Sequence, residues 1–264
     1  MAVYCGDYPQ CAVFFVCDIY KGKPNSNMKN IRLFETTTDY ENASLDYPNV
    51  ALTQDDGKSH SVVIKPIEFV DLGLSVKWMR CNIGAETESD YGLYFQWGDT
   101  IGYTGDGAKT NSYWSTCPGN GGSSSKDETS LSTWNTTHLT NGILNNDVDA
   151  AYVHTNGVAK IPTTSQIIEL VNNTTSEWTT KNGINGLKFI NTSDSSKYIF
   201  IPCGGNVWQS SLDGETTQAY VWSSSVYNSA ISKAYNLLLT QSKIYGSDYG
   251  DRCAARNVRG VQIS

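Results

Sequence analysis

Charge is scarce in this sequence. Asp, Glu, Lys and Arg make up only 17% of its 264 residues, and no run of lysines or arginines occurs. With a net charge of −7, nucleic acid is a poor partner, because phosphates are bound by clustered cations. No apolar stretch reaches the roughly 20 residues that a bilayer span takes, so membrane insertion is not expected. The first residues, Met1-Ala-Val-Tyr-Cys-Gly-Asp, carry neither a basic n-region nor a continuous apolar h-region and do not read as a signal peptide.

Metal and catalytic signatures are equally sparse. The cysteines at 5, 11, 17, 81, 117, 203 and 253 include no Cys-x-x-Cys pair. His60, His138 and His154 are not spaced as metal ligands, so buried free thiols are expected and a zinc site is not. No Gly-x-Ser-x-Gly elbow, His-Glu-x-x-His helix or phosphate loop occurs. Glu86, Glu88, Asp90 and Asp99 cluster, and paired carboxylates can cleave glycans, but a solubilising loop accounts for these four. Asp55-Asp56 and Asp147-x-Asp149 read as solvated turns. No catalytic residue, metal ligand or cofactor is expected.

What the chain does have is glycine (23), tyrosine (16) and an aromatic content of 11%, a composition that suits a loop-rich β or α+β protein. The organising stretch runs from Phe69 to Asp99. Phe69, Val70 and Leu72 form a short apolar run, and Leu74, Val76 and Trp78 alternate with Ser75 and Lys77, the period of a half-buried strand. Asn82-Ile-Gly84 turns the chain, and Tyr91 to Trp97 returns as an aromatic strand. Trp78 and Trp97 are expected in the core.

Gly102 to Gly107 and Cys117 to Ser125 read as loops, and Asn141 to Ala151 as a turn or short helix. Pro162-Thr-Thr-Ser should open a helix capped by Thr164 or Ser165, with Ile167, Ile168, Leu170 and Val171 as its buried stripe and an end near Asn172-Asn173. Strands are expected over 187–190, 197–201, 220–224, 234–239 and 258–263, with Asn182-Gly183 and Asn185-Gly186 as turns. Before Lys65-Pro66 the chain reads as a few short strands around Cys11–Tyr20, Ile31–Phe34 and Ser61–Ile64. Cys5, Cys11 and Cys17 would share one face of a continuous strand.

The wording DLGLSVKWMRCNIGA followed by DYGLYFQWGD resembles the FISUMP (major paralogous domain) family of gut anaerobes and their phages. Lys160 to Leu170 with Trp178 to Gly186 and Ile199 to Pro202, and Tyr220 to Ser225 with Arg256 to Val261, extend the resemblance in order over 67–264. Ala159-Lys160 stands where the family more often has Trp-Arg, and a proline usual near Ile263 is missing. The resemblance implies an α+β, C-type-lectin-like domain over 67–264; residues 1–66 lie outside it and read from their own pattern as a small, mainly β segment. The calcium-binding Glu-Pro-Asn, Gln-Pro-Asp and Trp-Asn-Asp motifs of sugar-binding lectins are not present, so calcium-dependent binding is not implied. Nor is the cysteine constellation of formylglycine-generating enzymes, which share the broad fold.

The same resemblance, with the leader-free start, leads to the expectation of a non-enzymatic binding protein on a phage virion, a surface fibre or capsid-decoration protein. A bacterial cell-surface adhesin without its leader is the alternative, and a virion glycan hydrolase a third. Residues 1–66, too small to bury an independent core, would attach to other virion proteins and form a homotrimer. The stretch 226–256 is dense in Tyr, Ser, Asn, Asp and Gly, the residues that give binding surfaces contact area and adaptable hydrogen bonds. Tyr227, Asn228, Tyr235, Tyr245, Ser247, Tyr249 and Asp251 are its candidate contacts to a host-surface glycan or protein. In some relatives this stretch is rewritten by a diversity-generating retroelement.

Overall fold

The computed structural model describes residues 67–263, together with the strands Ala2–Val3 (β1), Val13–Phe14 (β2), Lys29–Arg32 (β3), Asn49–Thr53 (β4) and Ser59–Pro66 (β5). Backbone packing divides the chain into Met1–Ile67 and Glu68–Ser264. In the first unit β5 is the centre of an antiparallel sheet ordered β3-β5-β4, and β1 pairs with β2. The proposed common face of Cys5, Cys11 and Cys17, the Asp55-Asp56 turn and most of the Cys11–Tyr20 strand lie outside the described residues.

The second unit is mixed α+β, mostly sheet with few helices. It opens with Phe69–Val70 (β6), Trp78–Met79 (β7) and Tyr94–Phe95 (β8). The helices Gly105–Asn111 (α1) and Glu128–His138 (α2) lead to Leu139–Thr140 (β9) and Ile143–Leu144 (β10). Ala150–His154 (α3), Ala159–Lys160 (β11) and Thr164–Asn173 (α4) follow. Thr174–Lys181 (β12), Ile184–Asn191 (β13) and Tyr198–Pro202 (β14) make a three-stranded antiparallel meander. Asn206–Trp208 (β15) and Ser211–Asp213 (β16) form a small hairpin.

The last third supplies Gln218–Val226 (β17), Lys233–Thr240 (β18), Ile244–Asp251 (β19), Arg256–Asn257 (β20) and Val261–Gln262 (β21). A seven-stranded sheet runs β19-β18-β17-β10-β9, with β20 joining β17 in parallel and β8 antiparallel. A four-stranded sheet, β11-β21-β7-β6, brings the two ends of the unit together, with Val261 opposite Trp78.

Both organising tryptophans are buried, Trp78 at 0% and Trp97 at 1% exposure. The strands around them are shorter than the alternation predicts. Only Trp78–Met79 and Tyr94–Phe95 pair into sheets, while residues 73–76 bend. The period survives as burial: Leu74 and Val76 pack on the core while Ser75 and Lys77 stay exposed. The core gathers Leu72 and Trp78 with Ile167, Leu170, Phe189, Ile199, Ile201, Val221 and Leu237.

Several local expectations are corrected. Gly105 starts a helix because the Thr104 hydroxyl accepts from the Gly107 amide, so the loop ends there. Helix α4 is capped by Thr163, in a capping box with Gln166, rather than by Thr164 or Ser165. Ile167 and Leu170 are buried, but Ile168 is 39% exposed, so the buried stripe is narrower. Asn182-Gly183 turns with both residues at positive φ, whereas Asn185-Gly186 lies inside β13. Gly186 is there because a Cβ would strike the Phe200 ring and the Ile201 carbonyl. The 258–263 strand reduces to Val261–Gln262.

Two acidic groups are also not solvated. Glu88 is buried, accepting from Arg80 Nη1 at 2.6 Å and from Lys181 Nζ. Burial works to raise its pKa, but the hydrogen bonds from Lys181 and Arg80 prevail and hold it below the ordinary range. Asp149 is 1% exposed and caps α3, accepting from the Tyr152 amide at 2.9 Å and from the Ile161 amide at 3.1 and 3.0 Å. Cys117, Cys203 and Cys253 are buried free thiols, and Cys81 is half-buried. Burial pushes Cys117 and Cys203 up to about 12.

Trp78→Ala is expected to cost about 3–5 kcal/mol as a large-to-small core change, read by denaturant unfolding. A second expectation concerns pH. Burial, opposed by amide donors, pushes Asp149 up to about 6. A carboxyl that holds its proton more tightly folded than unfolded stabilises the fold at low pH. That contribution is lost as pH rises from about 4 to about 6. Asp149→Asn should therefore flatten the dependence of Tm on pH in this window, measured by thermal unfolding across it.

Candidate recognition face

Strands β17, β18 and β19 form an antiparallel meander, and its outer strand is where the sequence concentrates tyrosine. In β19, Tyr245, Ser247 and Tyr249 are exposed, while Ile244, Gly246, Asp248 and Gly250 turn inward. Strand alternation therefore sets three candidate residues on one face. The sequence Ile-Tyr-Gly-Ser-Asp-Tyr-Gly-Asp is poor in β-branched residues, so propensity alone reads it as an irregular polar stretch. The glycines have packing reasons. A Cβ on Gly246 would press on Val171 of α4, and one on Gly250 would collide with the Arg256 guanidinium.

The register assembles the aromatic cluster. Tyr235 stands opposite Tyr249, and Lys233 opposite Asp251. Tyr227, in the β17–β18 connection, stacks on Tyr249 with centroids 4.0 Å apart and an interplanar angle of 17°. It also meets Tyr235 edge-on at 5.1 Å. Its position is fixed by its amide, which donates to the Lys233 carbonyl at 3.0 Å. Lys233 Nζ reaches Asp251 at 3.3 Å and lies 5.6 Å from the Tyr249 ring centre. Tyr249 is thus braced by a ring and a cation yet remains 46% exposed; Tyr245 is 42% exposed.

A buried polar layer lies beneath this face. Asn236 Nδ2 donates to Asp248 Oδ2 at 3.0 Å, and Arg256 donates to Asn236 Oδ1 and, at 2.8 Å, to Asn206 Oδ1. The Arg256 guanidinium carbon lies 4.3 Å from the Trp222 ring centre and 4.9 Å from that of Tyr220. Burial pushes its pKa down to about 10, so it stays charged at neutral pH. Trp222 itself is buried, its indole N–H donating to the Phe95 carbonyl at 2.8 Å.

Elsewhere in the unit, an open cleft of about 370 Å³ is lined by Tyr91, Tyr94, Asp106, Lys109, Leu212 and Glu215. Of its polar groups, Lys109 Nζ donates to Asp106 at 2.9 Å and the Tyr94 hydroxyl to the Gly204 carbonyl. Among the described residues, no group of three or more His, Cys, Asp or Glu side chains is arranged to hold a metal ion.

No family model, no curated protein and no solved structure matches this chain.

Of the candidate contacts, Tyr227, Tyr235, Tyr249 and Asp251 come together around Lys233. Ser247 and Tyr245 continue the same face along β19. Asn228 is exposed in the β17–β18 connection. Sequence reading missed Lys233; its signal was opposition to Asp251 across two strands, which needs the register. The layer under the face was missed too, because Asn236, Asp248 and Arg256 are separated in sequence and meet only through pairing.

Gly250→Ala should destabilise the protein by about 1–3 kcal/mol, because the methyl group overpacks a close contact with a buried guanidinium. Chemical denaturation checks this. Ser247→Ala, on the open side of the same strand, should stay within about 0.5 kcal/mol of the parent.

Proposed function

We propose that this chain is a non-enzymatic recognition protein whose β18–β19 face binds a glycan or protein on a host-cell surface. The observation that carries the reading is the exposed row Tyr245, Ser247 and Tyr249, with Tyr249 held in place by Tyr227 and Lys233. Tyrosine offers a rigid apolar body and a polar tip, so a pre-braced tyrosine gains contact area at low entropic cost. Tyr249 lies four positions after Tyr245, at most about 13 Å at the usual rise, a span that suits an extended ligand.

The ordered sequence anchors over 67–264 support reading this unit as a C-type-lectin-like domain of the FISUMP kind. On that reading the protein sits on a phage virion, with residues 1–66 attaching it to other virion proteins as a trimer. A bacterial surface adhesin is the alternative placement and leaves the role of the face unchanged.

The test replaces Tyr245 and Tyr249 together by alanine and measures binding to whole cells of gut anaerobes and to their purified surface polysaccharides. Binding should fall at least about tenfold, the equivalent of about 1.4 kcal/mol, with Tm unchanged within a degree or two. Unchanged binding, or loss that follows unfolding, would move the recognition face elsewhere.

A further inference from the structure

The two long outer strands of this unit end their sheets differently. Strand β19 carries a register shift opposite Asn236–Leu238, and a bulge is one of the devices that keep an edge from pairing with another chain. Strand β12 has no bulge and carries only Glu177 and Lys181 as charged residues. All eight of its residues, Thr174 to Lys181, pair with β13 in unbroken register, and β12 ends the order β12-β13-β14. It contains no proline or glycine, and four of its eight residues are threonine, a good strand former.

The tight turn at Asn182-Gly183 makes Lys181 and Ile184 the closing pair of the hairpin. In an antiparallel ladder the backbone groups alternate sides from that pair. Lys181, Thr179, Glu177 and Thr175 therefore direct their N–H and C=O groups to β13, and Thr180, Trp178, Ser176 and Thr174 direct theirs away. Among the described residues none of these four outward amides has a hydrogen-bond acceptor. Trp178 packs its indole on the core yet is only half-buried.

We propose that β12 pairs antiparallel with β12 of a second copy of this chain, about a two-fold axis at Trp178. The sequence is self-complementary in that register. Ser176 falls opposite Thr180 of the second copy, and Glu177 opposite Thr179. Thr175 falls opposite Lys181, and the two Trp178 side chains meet at the axis, so no like charges stand directly opposite each other. All pairs that exchange hydrogen bonds are the outward-directed ones, so the ladder satisfies the groups that the single chain leaves open. A like-charged pair would arise if the axis moved one residue to Glu177, setting Glu177 against itself. This contact is separate from any assembly through residues 1–66.

Amide hydrogen exchange on the full chain tests this, read at residue resolution at two concentrations with sedimentation run alongside. In the associated state, exchange of Ser176, Trp178 and Thr180 should be slowed at least about tenfold relative to dilute single chains. Ser176→Pro removes an outward N–H that bonds nothing within the described residues, and proline is tolerated on an edge strand. It should abolish the slowing at Trp178 and Thr180. Unprotected exchange at the higher concentration would overturn the proposal. So would protection that persists where sedimentation shows single chains, which would mean that the edge is covered from within the chain. If Ser176→Pro does not fold, the concentration series on the parent protein decides alone.

Discussion

Three planar cations with neutral partners hold the closing segment of this protein. Arg252, Arg256 and Arg259 are all buried, and among the described residues none lies within ion-pair distance of a carboxylate. A buried charge is costly unless its hydrogen bonds are met and its field compensated. Arg252 lies between two indoles, its guanidinium carbon 4.5 Å from the Trp97 ring centre and 4.6 Å from that of Trp134. Its Nη1 donates to Asn135 Oδ1 at 2.8 Å and to the Ile231 carbonyl at 3.2 Å, and its Nη2 to the Pro118 carbonyl at 3.5 Å, while its buried Nε has no acceptor among the described residues. Arg259 donates to Asn82 Oδ1 at 2.8 Å and to the carbonyls of Arg80 and Phe200 at 2.8 and 3.0 Å. Between residues 252 and 260 the only strand is Arg256–Asn257. The arginines add side-chain tethers to isolated backbone bonds such as those between Ala255 and Val207, from Ile83 to Val258 and from Met79 to Gly260.

The proposed recognition role depends on that tethering. Arg256 occupies the space beneath Gly250 and is bonded to Asn236, so the underside of β18 and β19 is filled and polar groups are satisfied. A filled underside leaves little freedom to the outer side chains. Tyr249 then gains further order from Tyr227 and Lys233. Such a surface can vary its outer residues without disturbing the layer below, because strand alternation separates the two sets.

The sequence made different parts of this arrangement visible to different degrees. The burial of Trp78 and Trp97 was legible because large aromatics in apolar alternation have few other places to go. Helix α4 was legible from Pro162-Thr-Thr-Ser and its 3.6-residue pattern, although the cap is Thr163 and the buried stripe is narrower. What remained hidden depended on contacts distant in sequence. Asp149 looks like a turn residue until Ile161, twelve positions on, donates to it. Glu88 looks like surface charge until Lys181 arrives from a hairpin. β19 escaped notice because its glycines lower strand propensity, and their reason, close approach by Arg256 and Val171, is tertiary. The tyrosines could be picked out by type, whereas their grouping required the register of β18 on β19.

The direct test of this account is the stability of Arg252→Lys against Arg252→Met. Guanidinium stacking over an aromatic face contributes about 0.5–2 kcal/mol, and the two terminal nitrogens of the planar fork also reach acceptors on Asn135, Ile231 and Pro118. Lysine keeps the charge but loses both the plane and the fork, leaving a compact ammonium buried between indoles. Methionine loses the interactions but buries no charge. If planar stacking with neutral acceptors is what makes the buried charge tolerable, Arg252→Lys will be the less stable of the two by denaturant unfolding. If Arg252→Lys instead matches the parent protein within about 0.5 kcal/mol, positive charge alone suffices at this position and the account is contradicted.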